Sequence, residues 1–295
     1  MARQRISGRL MQVQGHDAAP DHLAAIAAEL GLQDPVVTQL HGGLSNRSWR
    51  LRDARQDLVL RQAGTGADLL GADRRSEFTM QGIAAAAGLA PPVVLMRPAE
   101  GLLVTRYLDG HVPTRDEIRE PAMLERIGNW FARLHALAPP QGLAAIDFGA
   151  RAAVYLAILR RSLPNAVLQE LEIRLAARRE LLPAPGRLVA CHHDLHHLNV
   201  VDQGDALMAL DWEYAGPGDP AADLAACVCY HDLEPELVES LLGGYGADSR
   251  SLLARLAPLR WIFDCLWLGW IEISARQEIA ADDVRRQRLV DRLLS

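Results

Sequence analysis

The sequence contains few aromatic residues, few cysteines and no excess of positive charge. Aromatic residues make up 5% of the 295 residues, and the four cysteines are Cys191, Cys227, Cys229 and Cys265. Their spacing is not that of a disulfide framework, which favours a reduced, cytoplasmic protein. The net charge of −6 lacks the basic excess that general nucleic-acid binding requires.

Long apolar stretches are missing as well. No uninterrupted run approaches the ~20 residues that a membrane-spanning helix needs. Residues 1–14 alternate arginine and glutamine with small apolar residues and contain no apolar signal-peptide core. Hydrophobic residues nevertheless make up 49% of the chain, which excludes general disorder. We therefore expect a globular protein without a membrane or nucleic-acid partner, as a monomer or homodimer.

The pattern of apolar residues changes near residue 107. Short strand-like segments with one inserted helix precede this point, and segments with helical spacing of apolar residues follow it. We predict an α+β fold with a small β-rich lobe over residues 17–107 and a larger helical lobe over residues 108–295. A cleft between two lobes is a common position for a small-molecule site.

The strongest local feature is a histidine-rich loop that precedes a short predicted hairpin. Asp194 and Asn199 lie in this loop, and Asp211 follows the second strand of the hairpin. A carboxylate such as Asp194 can accept a hydroxyl proton, and the oxygens of Asn199 and Asp211 can hold Mg²⁺, which prefers oxygen ligands. Together these are parts of a phosphoryl-transfer site.

The loop also permits two alternatives to a phosphoryl-transfer site. A hairpin with acidic residues at its ends is often solvated surface. A transition-metal site is the second alternative, because side chains that bind such metals cluster here: Cys191, His192, His193, His196 and His197. Adjacent side chains of an extended loop point in opposite directions, which argues against a single ion. We assign no function to His193, His196 and His197, and we expect His192 to be structural.

A phosphate-binding group is expected in the amino-terminal lobe. Gly42 and Gly43 lie in a turn between two predicted strands, where backbone N–H groups can approach phosphate oxygens. Arg61 ends the next strand and could pair with phosphate. Glu77, on the following helix, could hold Arg61 in place. Taken singly, such residues are more often a plain hairpin turn and two surface charges.

The order of these motifs resembles that of protein kinases. His192-x-Asp194-x-x-x-x-Asn199 is similar to the catalytic loop of aminoglycoside phosphotransferases and of choline and ethanolamine kinases. Residues 43–49, 59–62 and 210–219 look like the corresponding segments of bacterial thiamine and choline kinases. The wider kinase pattern has Lys at the position of Arg61, whereas the choline- and thiamine-kinase-like group often has Arg. The resemblance extends from about residue 42 to residue 270.

This resemblance implies a bilobal protein-kinase-like fold and an enzyme that uses ATP and Mg²⁺ to phosphorylate a small molecule. It implies that Asp194 is catalytic and that Asn199 and Asp211 bind the metal. It also implies a nucleotide-binding set in the amino-terminal lobe, with the last two residues at the hinge: Gly42, Gly43, Ser45, Asn46, Arg61, Glu77, Thr105 and Tyr107. An edge strand is the alternative explanation for residues 105–108.

Aromatic residues near the carboxyl terminus indicate what the acceptor is. Phe263, Trp267 and Trp270 fall on one face of a predicted helix, either as core or as a wall for a cationic group. We expect Trp267, Trp270 and Glu213 to contact a small cationic alcohol. Thiamine and choline both fit, and the resemblance favours thiamine. A choline or ethanolamine kinase, another aminoglycoside or sugar kinase, and a non-catalytic ATP-binding protein of the same fold remain alternatives.

Overall fold

The chain forms two compact units of different composition. The computed structural model describes residues 2–6, 9–14, 23–40, 46–63, 73–182, 187–276 and 283–295. Unit 1 comprises Met1–His111 with Val201–Tyr214, and unit 2 comprises Val112–Val200 with Ala215–Ser295. Unit 1 is rich in strands and unit 2 is mainly helical, so the predicted α+β class is confirmed.

Strands dominate the chain before residue 107 and helices dominate it afterwards, as the change in the apolar pattern predicts. The strands are β1 (Ala2–Ile6), β2 (Arg9–Gln14), β3 (Val36–Leu40), β4 (Asn46–Arg52), β5 (Asp57–Ala63), β6 (Val93–Arg97), β7 (Leu102–Arg106), β8 (Val189–Cys191), β9 (Val200–Asp202), β10 (Leu207–Ala209) and β11 (Gly216–Gly218). The helices are α1 (Leu23–Glu29), α2 (Arg74–Ala86), α3 (Arg115–Ile118), α4 (Pro121–His135), α5 (Phe148–Leu159), α6 (Asn165–Leu181), α7 (Pro220–His231), α8 (Pro235–Tyr245), α9 (Leu253–Arg276) and α10 (Asp283–Leu294).

A seven-stranded sheet is the framework of unit 1. Its order is β1-β2-β3-β4-β5-β7-β6, with β2 and β3 parallel and the other neighbours antiparallel. Side chains alternate between buried and exposed along β4, where Trp49 and Leu51 enter the core with Leu60 of β5. Because β7 lies between β5 and β6, the edge-strand explanation for this segment is wrong.

Two hydrogen bonds position helix α2 and the β9–β10 hairpin in unit 1. Asp73 caps α2 by accepting a hydrogen bond from the Arg75 N–H, so that the helix begins one turn before Glu77. The hairpin of β9 and β10 joins this unit through Ala209, whose N–H donates to the carbonyl of Leu89 at 2.8 Å. The boundary expected at residues 107/108 assigned this hairpin to the helical lobe. A single boundary along the chain cannot describe a unit that is formed by two separate segments.

Unit 2 is built on closely packed helices and one short antiparallel pair. Strands β8 and β11 pair Cys191 with Gly216, which brings the start of the histidine-rich loop beside the segment that leads into α7. Helices α4 and α8 pack so closely that a Cβ at Gly128 would clash with the backbone of α8. None of the helices in the described residues has the length and hydropathy to span a membrane.

The contact between α4 and α8 predicts opposite effects for two neighbouring glycines. A Cβ at Gly244 would overlap the backbone of Glu125, whereas a Cβ at Gly243 would meet no atom within 4 Å. Gly244→Ala should therefore lower the free energy of unfolding by about 1–3 kcal/mol through overpacking. Gly243→Ala should raise it by about 0.5–1 kcal/mol, since alanine favours a helix. Urea unfolding of both variants checks this, and equal effects would contradict the packing described.

Candidate functional site

A guanidinium held by two carboxylates forms the charged centre of unit 1. Arg61 of β5 pairs through Nη2 with Glu77 of α2 and through Nη1 with Asp211 Oδ1, the latter at 2.5 Å. Glu77 is fully buried, and its Oε2 also lies 3.2 Å from Arg74 Nη1. A buried charge is stable only when paired, so Glu77 holds Arg61 in one orientation. The contact between Arg61 and Asp211 is not predicted from the sequence.

Asp211 is held in an unusual backbone conformation. Its φ of 55° lies in the left-handed region, which costs a non-glycine residue about 1 kcal/mol. The next residue, Trp212, is completely buried, and its Nε1 donates to the carbonyl of Ala209 at 3.1 Å. This anchor turns the Asp211 carboxylate towards Arg61, and 26% of the Asp211 side chain remains exposed. A ligand can therefore reach this carboxylate.

Glu213, an expected contact of the acceptor, is buried in the structure. The residue is 6% exposed, and its Oε2 accepts a hydrogen bond from Asn46 Nδ2 at 3.3 Å. The Glu213 carboxylate is thus shielded from solvent and contacts Asn46, the first residue of β4. The other predicted residues of the preceding turn, Gly42, Gly43 and Ser45, lie outside the described residues.

Thr105 and Tyr107 lie at the end of β7. Thr105 is buried and paired with strands on both sides. The N–H of Tyr107 donates to the carbonyl of Asp57 at 2.9 Å, and the guanidinium carbon of Arg50 lies 3.6 Å from the centroid of its ring. Arg50 also hydrogen-bonds to the Asp57 carboxylate, which lowers the pKa of Asp57. The backbone N–H of Tyr107 is thus already used within unit 1.

In unit 2, a buried carboxylate anchors the histidine-rich loop. Asp223 of α7 accepts hydrogen bonds from the backbone N–H of His192 at Oδ2 (3.0 Å) and of His193 at Oδ1 (2.5 Å). His135 Nε2 lies 3.0 Å from Asp223 Oδ2. The φ of His193 is 67°, a left-handed conformation that persists only when its surroundings impose it. The two hydrogen bonds to Asp223 impose it here.

Asp223 is ionised despite its complete burial. Desolvation alone would raise its pKa, but the hydrogen bond with His135 and the charges of nearby histidines lower the pKa to about 2. A buried charge without partners would be unfavourable, so the ionised Asp223 requires its hydrogen bonds to the loop. These hydrogen bonds attach the loop to α7. The sequence analysis did not single out Asp223, which sits in an alanine-rich helix.

The histidines of the loop have separate environments. His192 accepts a hydrogen bond at Nδ1 from the Asp194 N–H and packs edge-on against Trp130, whereas the ring of His193 packs against Phe148. His196 caps the following turn by accepting from the Leu198 N–H. These directions do not converge on one ion, which argues against the predicted alternative of a metal site on this loop.

One group in the described residues has ligand atoms close enough for a metal. Atoms of His135, Cys191 and Asp223 lie within 4.8 Å of one another. The Asp223 oxygens are already occupied by His135 and by two backbone N–H groups of the loop. Burial raises the pKa of the Cys191 thiol far above its ordinary value, which keeps the thiol protonated. This group is therefore a hydrogen-bonded anchor.

Asp194 projects from the anchored loop with both oxygens oriented. Its Oδ1 accepts a hydrogen bond from the Tyr230 hydroxyl at 2.8 Å, and its Oδ2 accepts from Asn199 Nδ2 at 3.2 Å. His196 Nε2 lies 3.8 Å from Oδ2, and 18% of the Asp194 side chain is exposed. Because Asn199 Nδ2 points to Asp194, its Oδ1 is the atom that Asn199 would offer to a cation.

An aromatic wall, formed by Tyr230, Trp267 and Trp270, continues from this carboxylate. The ring centroids are 5.1 Å apart for Tyr230 and Trp267 and 5.4 Å apart for Trp267 and Trp270. Both tryptophans are half-buried, whereas Phe263 is buried against Phe148. The predicted face thus divides into one core residue and two half-buried rings. Sequence reasoning missed Tyr230, since it lies 36 residues from Asp194.

The ionised anchor predicts a specific acid sensitivity. The folded-state pKa of Asp223, about 2, lies below its ordinary value of 3.8. Its contribution to stability, about 2 kcal/mol, is therefore fully present above about pH 4 and is lost as the pH falls through about 2. Asp223→Asn should destabilise the protein at neutral pH, and its difference from the wild type should shrink between about pH 4 and pH 2.

Chemical unfolding at a series of pH values measures this difference. Asp205→Asn, at an exposed residue of the turn between β9 and β10, is the matched control. The control should differ little from the wild type at every pH. A difference for Asp223→Asn that stays constant down to pH 2 would contradict the ionised anchor.

Known proteins are similar to this chain in sequence and in fold. A family model for the phosphotransferase enzyme family (APH) matches residues 36–259. A thiamine kinase of Escherichia coli O9:H4 (strain HS) is 38% identical over 127 residues, which cover 40% of this chain and 44% of that protein. This chain thus spans less than half of the length of the curated relative that it matches.

Solved structures resemble the chain over nearly its whole length. A choline/ethanolamine kinase family protein from Mesorhizobium loti has a TM-score of 0.73 and 27% identity, and the match covers 92% of this chain and 91% of that chain. The choline kinase LicA from Streptococcus pneumoniae, also solved in complex with AMP, has a TM-score of 0.74 and 20% identity. That match covers 92% of this chain and 98% of that chain, and it shows a common fold.

Proposed function

Because the chain belongs to the phosphotransferase enzyme family, we propose that it transfers the γ-phosphoryl group of ATP to the hydroxyl of a small alcohol. The observation that carries this proposal is the oriented carboxylate of Asp194, which is partly exposed on an anchored loop and held by Tyr230 and Asn199. A carboxylate held in this way can orient a hydroxyl group and accept its proton as the phosphoryl group departs.

The nucleotide phosphates are assigned to the residues around Arg61. Glu77 presents the Arg61 guanidinium in one orientation, which lowers the entropic cost of binding phosphate oxygens. The carboxylate of Asp211 and the amide oxygen of Asn199 are hard donors that fit Mg²⁺. When bound, Mg²⁺ supplies charge neutralisation on the phosphates. Further nucleotide contacts are proposed from the resemblance alone at Gly42, Gly43, Ser45, Asn46, Thr105 and Tyr107.

The acceptor is proposed to be a small alcohol with a cationic group, as in a thiamine kinase. Two observations support this proposal: the identity to a thiamine kinase over 127 residues, and the aromatic wall that begins at the Asp194 carboxylate. Aromatic faces attract cations. Choline or ethanolamine is the second candidate, favoured by the likeness to the choline/ethanolamine kinase family protein.

Release of ADP from Mg-ATP by the purified 295-residue chain tests the proposed function. The acceptors are thiamine, choline, ethanolamine, a sugar and an aminoglycoside, each with and without EDTA. Asp194→Asn should lower turnover of the accepted alcohol at least ~10²-fold, because a group that accepts the proton is lost. Asp205→Asn, in an exposed turn, should retain full turnover. Near-normal turnover of folded Asp194→Asn would reject the assignment, and ATP binding without turnover of any acceptor would favour a non-catalytic protein.

Tyr230 is proposed as a positioning residue for Asp194. Tyr230→Phe keeps the ring that packs on Trp267 and removes only the hydroxyl that donates to Asp194. A hydrogen bond to a charged group is worth about 1.5–3 kcal/mol, so kcat should fall roughly tenfold or more while the KM for the acceptor stays unchanged. Steady-state kinetics measures the two constants. Tyr155→Phe on α5 is the control, and an increase in KM alone would show that the hydroxyl binds the acceptor instead.

A further inference from the structure

We propose that Arg285 determines acceptor specificity by excluding small quaternary ammonium alcohols from the face of Trp267. The guanidinium carbon of Arg285 lies 4.2 Å from the centroid of the Trp267 ring. The same ring contacts Tyr230, whose hydroxyl is bonded to Asp194. This inference rests on the proposed function, since it concerns the acceptor that is phosphorylated beside Asp194.

The position of Arg285 is imposed by a docked helix. Leu289, Val290 and Leu293 of α10 are buried. Trp261 of α9 donates from Nε1 to the carbonyl of Leu293 at 3.2 Å. Arg292 pairs with the buried Asp264 at 2.5 Å. These contacts attach α10 to α9, the helix that carries Trp267.

Arg285 is also attached at its own end. Its Nη2 lies 3.5 Å from the backbone carbonyl of Tyr230. The next residue, Arg286, donates to the carbonyl of Ser162 at 3.2 Å and lies 3.6 Å from Glu272. The guanidinium therefore remains over the Trp267 ring as part of the packed unit.

The guanidinium of Arg285 already occupies one face of the aromatic wall, at Trp267. An aromatic ring attracts a cation within about 6 Å of its centroid, and Arg285 fulfils this condition at Trp267. A second cation on this face would have to displace the guanidinium or lie beside a like charge, which repels it. Choline offers only a quaternary ammonium group and a hydroxyl for recognition, so it loses a cation–π contact at Trp267.

A larger acceptor with a neutral heteroaromatic ring has a different interaction with the same group. The planar guanidinium stacks on such a ring and donates hydrogen bonds to its nitrogen or oxygen acceptors. The substrate class that fits Arg285 is therefore an alcohol with a neutral ring that accepts hydrogen bonds. Any cationic group of this alcohol then lies away from the Trp267 face.

Choline binding by isothermal titration calorimetry tests the inference without requiring turnover. Arg285→Ala should lower the Kd for choline about tenfold or more relative to the wild type, since a cation–π contact becomes available. Arg288→Ala removes the same charge from an exposed position of the same helix and should leave the Kd unchanged. Arg285→Gln, which keeps a polar side chain without the charge, should act as Arg285→Ala does and serves if the alanine variant is unstable.

The outcomes separate this inference from the proposed function. Equal choline affinity in the wild type and both Arg285 variants overturns it, and so does undetectable binding in all of them, because removal of Arg285 should expose the face. Equal gains in Arg285→Ala and Arg288→Ala also overturn it, since they show a general charge effect. Tighter binding in the Arg285 variants alone supports the inference even if no acceptor is phosphorylated, which would refute only the proposed function.

Discussion

The ionised carboxylate of Asp223 is the interaction on which the loop of unit 2 depends. Desolvation by complete burial would raise the pKa of such a group, but the hydrogen bond with His135 and the charges of nearby histidines lower the pKa to about 2. The carboxylate also accepts hydrogen bonds from two backbone N–H groups. These contacts hold His193 in a left-handed conformation. The loop then leaves the anchor in one direction, which presents Asp194 and Asn199. Without the Asp223 side chain, the buried N–H groups of His192 and His193 would lose their acceptor.

Close packing around the same anchor leaves little freedom for the loop. A Cβ at Gly218 of β11 would clash with the imidazole of His193, so β11 approaches the loop more closely than a larger residue would allow. Pairing of β8 with β11 brings α7, and with it Asp223, to the point where the loop begins. The charge of Asp223, the lack of a side chain at Gly218 and the pairing of β8 with β11 therefore act together to fix the conformation of the loop.

In unit 1 a positive charge, that of Arg61, is likewise held in place by oppositely charged partners. Arg61 is paired with the fully buried Glu77 and with Asp211, whose backbone is again left-handed. In both units a charged group is held in a fixed position before any ligand binds. Phosphoryl transfer depends mainly on positioning and electrostatic stabilisation, so these two arrangements are consistent with membership of the phosphotransferase enzyme family.

The sequence by itself determined the class of the fold, most strands and helices, and the motif that contains Asp194, Asn199 and Asp211. Apolar patterns with a period of 2 or 3.6 residues, turn residues and motifs with short spacing are local signals, so they can be recognised without knowledge of the fold. The tertiary structure alone decided the partners: Tyr230 on Asp194, Asp223 beneath the loop, Asp211 on Arg61, Arg285 on Trp267, and the burial of Glu213 and Phe263. These pairs lie far apart in the chain, and their side chains follow no periodic pattern. Only packing of the helices and strands brings such groups within hydrogen-bonding distance.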